Sequence, residues 1–579
     1  MALTSALNMT LNGMMTTELR TNLTSQNIAN ADKEGYTRKS LNAQYITTNV
    51  GSVPVSGVVV GARDSFLVAA LTKDLTTYSY DLTVTNSLDY YNTQLGSTEG
   101  SYTLSSYIDD MYSTLKFLAT SPETAANKSE VVNVAANLAN SLRDLSSDIQ
   151  KQRMTAEQQI NTSINNINSV LDRIQSLNIK IATTDTDDAG YADYQDQRDL
   201  ELQSLAKEMD VQYFYTSDNM LQIYTKSGQS LLLSQPHYIS YTPTNVIHST
   251  TLYPAGFSPI TLDGVDITSQ LSGGKLGANL YLRDDYYVGE QEKLNELASV
   301  LQTQVNTLLN TGASIPGRSL MEGSLQGLTA ATPFTGTGTI RVATTDQSGV
   351  VVSYSDINLA AMTSVNDVLT ALNGIAGITA TLNTDGELSI AVTPSTNGVA
   401  INPMTSSITS SSGESFSQYF GLNDMFVGTG AEDIKISDYL VARPDYLSIA
   451  KLNSSATLAV GDQGVARGDG SVADSLANLL TSTLSFNAAG NFSAQSNSLL
   501  AYAQAFMSDV ATQSSIAQGQ SDTSYLVYST SYGLVTSVSG VNVDEETAKM
   551  LILQNQYAAS AQVISTIQEM LDALINAMR

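Results

Sequence analysis

Residues 544–578 read DEETAKMLILQNQYAASAQVISTIQEMLDALINAM. Three acidic residues open this stretch, and a helix N-terminus favours negative charge. Apolar side chains then recur at alternating intervals of three and four residues, which is the spacing of a heptad seam. The seam positions are Met550, Leu553, Tyr557, Ser560, Ile564, Ile567, Leu571, Leu574 and Met578. Since only Ser560 among them is polar, the pattern predicts a long helix with one stripe that packs against another surface.

The other end of the chain also predicts a helix. Leucine or methionine recurs every four residues, at Leu3, Leu7, Leu11, Met15, Leu19 and Leu23. A four-residue step exceeds one helical turn by about 40°, so this stripe winds around the helix and suits several neighbours. Two interpretations stay open: terminal helices packed in an ordinary globular core, or helices that pair with each other and with neighbouring subunits. We expect residues 2–28 and 545–578 to lie side by side, with Leu7, Leu11, Ile564 and Leu571 buried.

The composition argues against several classes of function. The chain has 579 residues, enough for three or four domains at about 150 residues each, and a formal net charge of −28. An acidic chain without a basic cluster is a poor partner for nucleic acid or anionic lipid. With no cysteine and two histidines, we expect no disulfide, no metal, no cofactor and no enzyme. No segment reaches the roughly 20 apolar residues that span a bilayer, and no cationic region opens the chain, so we expect neither membrane insertion nor a cleaved signal peptide.

The interior of the chain alternates between helical and β-like segments. The sequence predicts one helix over about residues 122–182, roughly 90 Å long at 1.5 Å per residue. Ser121 is its predicted N-cap, with Pro122 in the first turn. Residues 211–283 and 330–445 predict strands, with Asp385-Gly386 as a hairpin turn.

These segments predict an α+β, multidomain fold with paired terminal α-helices, a long helical rod domain and β-rich domains inserted in the middle of the chain. We expect a terminal helical domain from residues 1–40 with 541–579. A helical rod domain is expected from residues 41–315 with 446–540, including a β-rich section at about 211–283. Residues 316–445 are expected to form one or two β-rich outer domains that face solvent.

Two motifs follow the first predicted helix: Asn27-Ile28-Ala29-Asn30, then Gly35-Tyr36-Thr37-Arg38. Asn tolerates the left-handed conformation at a helix end, Gly allows a turn, and Tyr can anchor the departing chain. The pair resembles the N-terminal signature of the bacterial flagellar axial proteins, in which an Asn-Ile-Ala-Asn block ends the first helix and a Gly-Tyr-x-Arg block follows. This sequence departs from the family pattern at Lys33 and Glu34, where Thr and Pro are usual.

Further matches narrow the resemblance to the hook-associated proteins of that family. Ser121-Pro122 resembles the start of their long helix, and Asp196-Gln197-Arg198-Asp199 resembles the opening of the next one. The most specific match is C-terminal: residues 539–546, which read SGVNVDEE, precede residues 556–561, which read QYAASA.

The resemblance implies a structural function outside the cell. Family members pass unfolded through a type III export apparatus, with an export chaperone, and their terminal helices form the axial core of the flagellum. A hook-associated protein joins hook to filament, so the implied partners are identical subunits in a ring, the hook protein and the next junction protein. With the two apolar stripes, this gives candidate assembly residues Leu3, Leu7, Leu11, Met15, Asn27, Ile28, Asn30, Gly35, Tyr36, Arg38, Leu553, Tyr557, Ile564, Ile567, Leu571 and Leu574.

Two alternatives stay open. A flagellar hook or rod protein would share the terminal motifs, but such proteins lack the helical section predicted at 122–182. A secreted adhesin or surface hydrolase with a helical stalk belongs to a different class, and residues 330–445 offer no set of residues for a catalytic pocket.

An acidic stretch follows the spacing of a calcium loop, with Asp185, Asp187, Gly190, Asp193 and Asp196 at the matching positions. Ala189 occupies one ligand position, and the last position has Asp in place of the bidentate Glu. An acidic turn between two helices is therefore the favoured interpretation.

Overall fold

Helices dominate the structure. The computed structural model of the chain describes residues 2–48, 51–96, 103–186 and 188–577, without the side chains of residues 2, 44–48 and 51–56. The α-helices within these ranges are α1 (Ala2–Ala29), α2 (Ser65–Leu95), α3 (Leu104–Thr120), α4 (Ala125–Thr183), α5 (Ala189–Glu208), α6 (Gly274–Tyr281), α7 (Tyr287–Leu309), α8 (Val365–Asn373), α9 (Phe416–Phe420), α10 (Asp438–Ala442), α11 (Ser471–Thr481), α12 (Leu499–Ser539) and α13 (Val543–Ala577). A π-helical turn spans Leu282–Tyr286, and short 3-10 helices span Thr268–Gln270 and Pro444–Tyr446.

The strands are short and form small antiparallel sheets. They are β1 (Lys39–Thr48), β2 (Gly51–Gly61), β3 (Val211–Tyr215), β4 (Leu221–Thr225), β5 (Ser230–Leu232), β6 (Ile239–Ser240), β7 (Thr261–Leu262), β8 (Val265–Asp266), β9 (Leu320–Glu322), β10 (Gly336–Thr337), β11 (Thr339–Thr345), β12 (Val351–Asn358), β13 (Ile378–Leu382), β14 (Leu388–Val392), β15 (Gly398–Asn402), β16 (Ser407–Ile408), β17 (Phe426–Val427), β18 (Lys435–Ile436), β19 (Leu484–Phe486) and β20 (Gln495–Asn497). The three-stranded sheets have the orders β3-β4-β5, β6-β7-β8, β12-β11-β15 and β13-β14-β9. Terminal helices, a long central helix and several small sheets confirm the predicted α+β class.

The chain divides by its internal contacts into two discontinuous units. The terminal unit comprises Met1–Asp89, Arg153–Asp285 and Ser514–Arg579, and the central unit comprises Tyr90–Gln152 and Tyr286–Gln513. Both ends of the chain therefore belong to the same unit. The finer division at residues 40, 315, 445 and 540 stays a prediction.

In the terminal unit, α1 and α13 pack side by side, as the two apolar stripes predict. They run antiparallel, because the end of α1 meets the beginning of α13: Asn27 Nδ2 lies 3.0 Å from Glu546 Oε2. The β1–β2 hairpin follows α1, with Lys39 opposite Gly61. A separate core lies under the second half of α4, whose Ile160, Ile164, Ile167, Leu171 and Ile174 pack with α5, α6 and strands β4–β7.

In the central unit, sheets β12-β11-β15 and β13-β14-β9 share one hydrophobic core with α8. The predicted hairpin at Asp385-Gly386 is confirmed, since it connects β13 to β14 and Gly386 has a φ of +79°. Ala343 and Ala400 in this region pack with Leu452 and Val465. A boundary at residue 445 would therefore cut through a hydrophobic cluster.

Several local predictions are wrong. Ser121 is the C-cap of α3, because its N–H donates to the Leu118 carbonyl, and α4 begins only at Ala125. The segment Asp196–Asp199 does not open a helix, because α5 begins at Ala189 with Asp188 as its N-cap. The β-rich section ends at Asp266, since residues 274–281 form α6.

The acidic calcium-like stretch is divided between a turn and α5. Asp193 and Asp196 lie on α5, where both pair with Lys39. Asp187, like Met578 of the C-terminal seam, lies outside the described residues.

Candidate interaction site on the terminal helices

Asn27 lies at the centre of the contact between the end of α1 and the start of α13. Its Nδ2 donates to the Lys39 carbonyl at 2.9 Å and to Glu546 Oε2 at 3.0 Å. Its Oδ1 accepts from the Lys39 N–H at 2.9 Å and from the Tyr36 hydroxyl at 2.9 Å. A carboxamide offers two donors and an oxygen with two lone pairs, so this buried side chain is fully satisfied. Asn27 thereby fastens α1, the chain that leaves it, and α13 to one another.

Glu546 completes this contact from the side of α13. Its carboxylate is buried and also accepts from Lys549 Nζ at 2.6 Å. Burial raises the pKa of the Glu546 carboxyl, but the hydrogen bonds from Asn27 and Lys549 outweigh this effect and hold the pKa below its usual value. Nearby, the Arg38 N–H donates to the Ser539 carbonyl at 2.7 Å, and the Arg38 guanidinium lies 3.6 Å from Glu545. The chain after α1 is therefore held to the chain around the start of α13.

The loop between α1 and β1 needs glycine at one position. Gly35 has a φ of +73°, and a Cβ placed there would lie 2.6 Å from the Leu200 side chain. A side chain at this position would meet both backbone strain and a clash. Burial raises the pKa of the neighbouring Tyr36 to about 12, so its hydroxyl remains a donor to Asn27 at neutral pH.

A second polar network ties this loop to α5. Lys39 has a buried side chain whose Nζ pairs with Asp193 and lies 3.4 Å from Asp196. Asp196 Oδ1 accepts from the Thr37 hydroxyl at 2.7 Å. Because a buried ammonium is costly unless it is paired, these carboxylates stabilise Lys39 where the chain enters β1.

The two apolar stripes divide between the inside and the outside of the α1–α13 hairpin. Leu553 and Ile567 are buried in the described structure, and Ile564 and Leu571 are half-buried. Leu3 and Leu7 are half-buried as well, whereas Tyr557 and Leu574 are exposed. The expected burial of Leu11 is wrong, because 46% of its surface is exposed.

Large apolar side chains on α1 and α13 are exposed, and we call the following set the outer apolar surface. It consists of Leu11, Met15, Leu551, Ile552, Tyr557, Val563, Met570, Leu574 and Ile575. Residues 2–17 and 550–568 contain no charged side chain. Exposed apolar side chains repeated along two paired helices mark a candidate interaction site.

The remaining candidate residues have supporting positions. The Asn30 Nδ2 donates to the Gln26 carbonyl at 2.9 Å, within the last turn of α1, and Ile28 is half-buried. Sequence reasoning missed Lys39, Asp193 and Glu546 as partners of this site. The partners Asn27 and Glu546 lie 519 positions apart, so no local pattern connects them.

The described residues offer little for catalysis or metal binding. Among them, no group of three or more His, Cys, Asp or Glu side chains is placed to hold a metal ion. His237 pairs with Asp263 at 2.7 Å in an exposed position. Within the same ranges, no helix has both the length and the apolar content required to cross a membrane.

Comparison with known proteins places two parts of the chain. Residues 93–322 match the family model of the flagellar hook-associated protein FlgK helical domain. Residues 535–577 match the model described as flagellar basal body rod FlgEFG protein C-terminal. The second match contains α13 and the end of α12.

Curated relatives cover the chain more broadly. Flagellar hook-associated protein 1 of Escherichia coli (strain K12) is 23% identical over 601 aligned positions, which span 99% of this chain and 100% of that protein. Flagellar hook-associated protein 1 of Bacillus subtilis (strain 168) is 25% identical over 38% of this chain and 43% of its own. Among solved structures, the flagellar hook junction protein FlgK from Burkholderia pseudomallei matches with a TM-score of 0.49 and 14% identity, over 81% of this chain and all of that one.

Proposed function

We propose that this chain, which belongs to the flagellar hook-associated protein 1 family, is a structural subunit at the junction between the flagellar hook and the filament. It assembles through the α1–α13 hairpin. The observation that carries this proposal is the outer apolar surface, because exposed apolar side chains on a firmly anchored pair of terminal helices are suited to subunit packing.

The proposed partners follow from this position. They are identical subunits in a ring, the hook protein on one side and the next hook-associated junction protein on the other. Before assembly, the chain passes unfolded through a type III export apparatus with the help of an export chaperone, without a cleaved signal peptide, and reaches the outside of the cell. The proposed role is structural and not enzymatic, with no nucleic acid and no insertion into a membrane.

A hook or rod protein is the second candidate, favoured by the match of residues 535–577 to a rod-protein family model. The match of residues 93–322 to a hook-associated helical domain favours the junction. The match of residues 535–577 to the rod-protein model is consistent with a mode of assembly by terminal helices that both kinds of protein share.

The test introduces charge on the outer apolar surface without touching the inside of the hairpin. Val563 and Leu574 are 47% and 52% exposed, so the double variant Val563→Asp/Leu574→Asp should fold. In an assembled contact the two carboxylates would be buried without partners, at a cost of several kcal/mol each. We expect a folded, exported protein and cells of the source organism, deleted for the native gene, that carry hooks without filaments in electron micrographs.

The matched control is Val441→Asp in the central unit, where Val441 is 62% exposed. This variant makes the same Val→Asp change in the other unit and should support normal filaments. Normal filaments with Val563→Asp/Leu574→Asp would contradict assembly through the outer apolar surface.

A further inference from the structure

One cation, near the base of the hairpin where α1 ends and α13 begins, has no polar partner among the described residues. Arg20 of α1 lines a pocket of about 280 Å³ between α1, β1 and α13, together with Leu41 and Leu553. The other cations that line the pocket are engaged: Arg38 with Glu545, Lys39 with Asp193 and Lys549 with Glu546. Within the described part of the chain, half-buried Arg20 has neither an ion-pair nor a hydrogen-bond partner.

The carboxylate in the pocket itself, Glu546, is engaged by Asn27 and Lys549. Two carboxylates of α13 without described partners lie towards the other end of the hairpin. From Thr547 to the end of the chain, the only acidic residues are Glu569 and Asp572. Both are exposed, and neither has a partner among the described residues. They lie three positions apart on α13 and therefore share one face of the helix.

These groups cannot meet within one subunit. Arg20 lines the same pocket as Leu553, and Glu569 lies 16 residues further along α13. At 1.5 Å per residue the separation is about 24 Å, too far for any side chain to span.

We propose that the Arg20 pocket receives Glu569 and Asp572 of a second copy of this chain, displaced by about 25 Å along the hairpin. This inference rests on the proposed function, since it takes subunit packing through the hairpin as given. The contact is head-to-tail: a base pocket meets the tip of the next subunit, so it repeats in a ring or a helix.

The charged side chains supply a preference for one register, which the outer apolar surface lacks. Apolar side chains between residues 550 and 568 attract a neighbouring hairpin in many alternative registers, because the hydrophobic effect has no direction. A single complementary pairing of charges selects one register and disfavours the others. In a chain with a net charge of −28, a half-buried arginine without a described partner is also an evident donor to a carboxylate.

The test is self-association of the purified full-length chain at low salt, measured by sedimentation. Arg20→Glu and the double variant Glu569→Arg/Asp572→Arg each place like charges together, and each should weaken assembly by about five- to tenfold. The triple variant combines both changes, restores opposite charges across the contact and should return to within about twofold of the wild type. The control Lys207→Glu lowers the net charge by the same amount as Arg20→Glu, at an exposed position on α5, and should have no effect.

Each outcome decides the proposal. Wild-type assembly by Arg20→Glu would overturn it, and so would a weakened Arg20→Glu that the triple variant fails to rescue, since the anion would then come from another partner. Arg20 makes no hydrogen bond or ion pair with the described residues, so circular dichroism of its variants should equal that of the wild type. If Val563→Asp/Leu574→Asp also assembles normally, the proposed function fails. If it is defective but the Arg20 and Glu569/Asp572 variants assemble normally, only this inference fails.

Discussion

Replacing Asn27 with alanine should release the terminal hairpin. The change removes the Asn27 hydrogen bonds to the Lys39 backbone, to Tyr36 and to Glu546. The Lys39 N–H and carbonyl are then left buried without these partners, at about 1–3 kcal/mol each. Tyr36 is half-exposed and can bond to water, and Glu546 keeps its bond to Lys549. We therefore expect a loss of about 3 kcal/mol, or roughly a hundredfold in the opening equilibrium of the hairpin.

Amide hydrogen exchange is the suitable measurement, because it reports local opening even where the rest of the fold stays intact. In Asn27→Ala, amides in α1 and α13 should exchange about a hundredfold faster, while those in α3 and α11 of the central unit stay unchanged. The matched control is Asn30→Ala, three residues away in the same motif. The Asn30 side chain makes one hydrogen bond to the described residues, within the last turn of α1, so its loss should change exchange by less than about tenfold.

The reasoning would be refuted if Asn27→Ala retained wild-type protection in α1 and α13, or if the two alanine variants behaved alike. In either case the hairpin would be held by its apolar seam alone, and the polar contact would be incidental.

Three further predictions address charge and backbone. Because the pKa of Glu546 is lowered in the folded chain, its ionised carboxylate stabilises the hairpin above pH 4.5, and this contribution is lost as the pH falls through the pKa of the folded state. Glu546→Gln should therefore remove the acid sensitivity of amide exchange in α13. Burial raises the pKa of Glu290 to about 7 despite its 2.6 Å bond to Lys293, so the central unit should lose stability as the pH rises from 4.5 to 7. Glu290→Gln should flatten this pH dependence of the unfolding free energy, measured by chemical unfolding. Gly35→Ala should destabilise the terminal unit by more than 1 kcal/mol in thermal unfolding, whereas Gly13→Ala, in the open middle of α1, should stabilise that helix by up to about 1 kcal/mol.

The sequence predicted the elements better than their ends. The stripe of Ile160, Ile164 and Ile167 is periodic over many turns, so the helix at Ala125–Thr183 could be predicted from it. The prediction of Ser121 as an N-cap was wrong because the same residue types also occur where helices end. The Ser121 N–H donates to the Leu118 carbonyl and so ends α3. Periodicity accumulates over a whole element, whereas a cap depends on a single competition between neighbouring hydrogen bonds.

The error at Leu11 has a geometric cause. The α13 seam alternates steps of three and four and stays on one side of its helix, but the α1 stripe advances by four and rotates by about 40° at each step. Leu23 is 2% exposed near the base, while two and three steps earlier Met15 and Leu11 are 61% and 46% exposed. The rotation that predicted several neighbours for α1 also turns these two side chains away from α13.

The polar contact at the base prepares the hairpin for assembly. The two helices comprise 28 and 35 residues, and fixing the backbone of each residue costs about 1–2 kcal/mol. If α1 and α13 became ordered only on meeting a neighbour, the association would have to offset that cost. The buried bonds of Asn27, Glu546 and Lys39, with Leu553 and Ile567 inside the seam, order the helices within one subunit. The outer apolar surface can then contribute its burial to the contact between subunits, because a preorganised surface loses less entropy on binding.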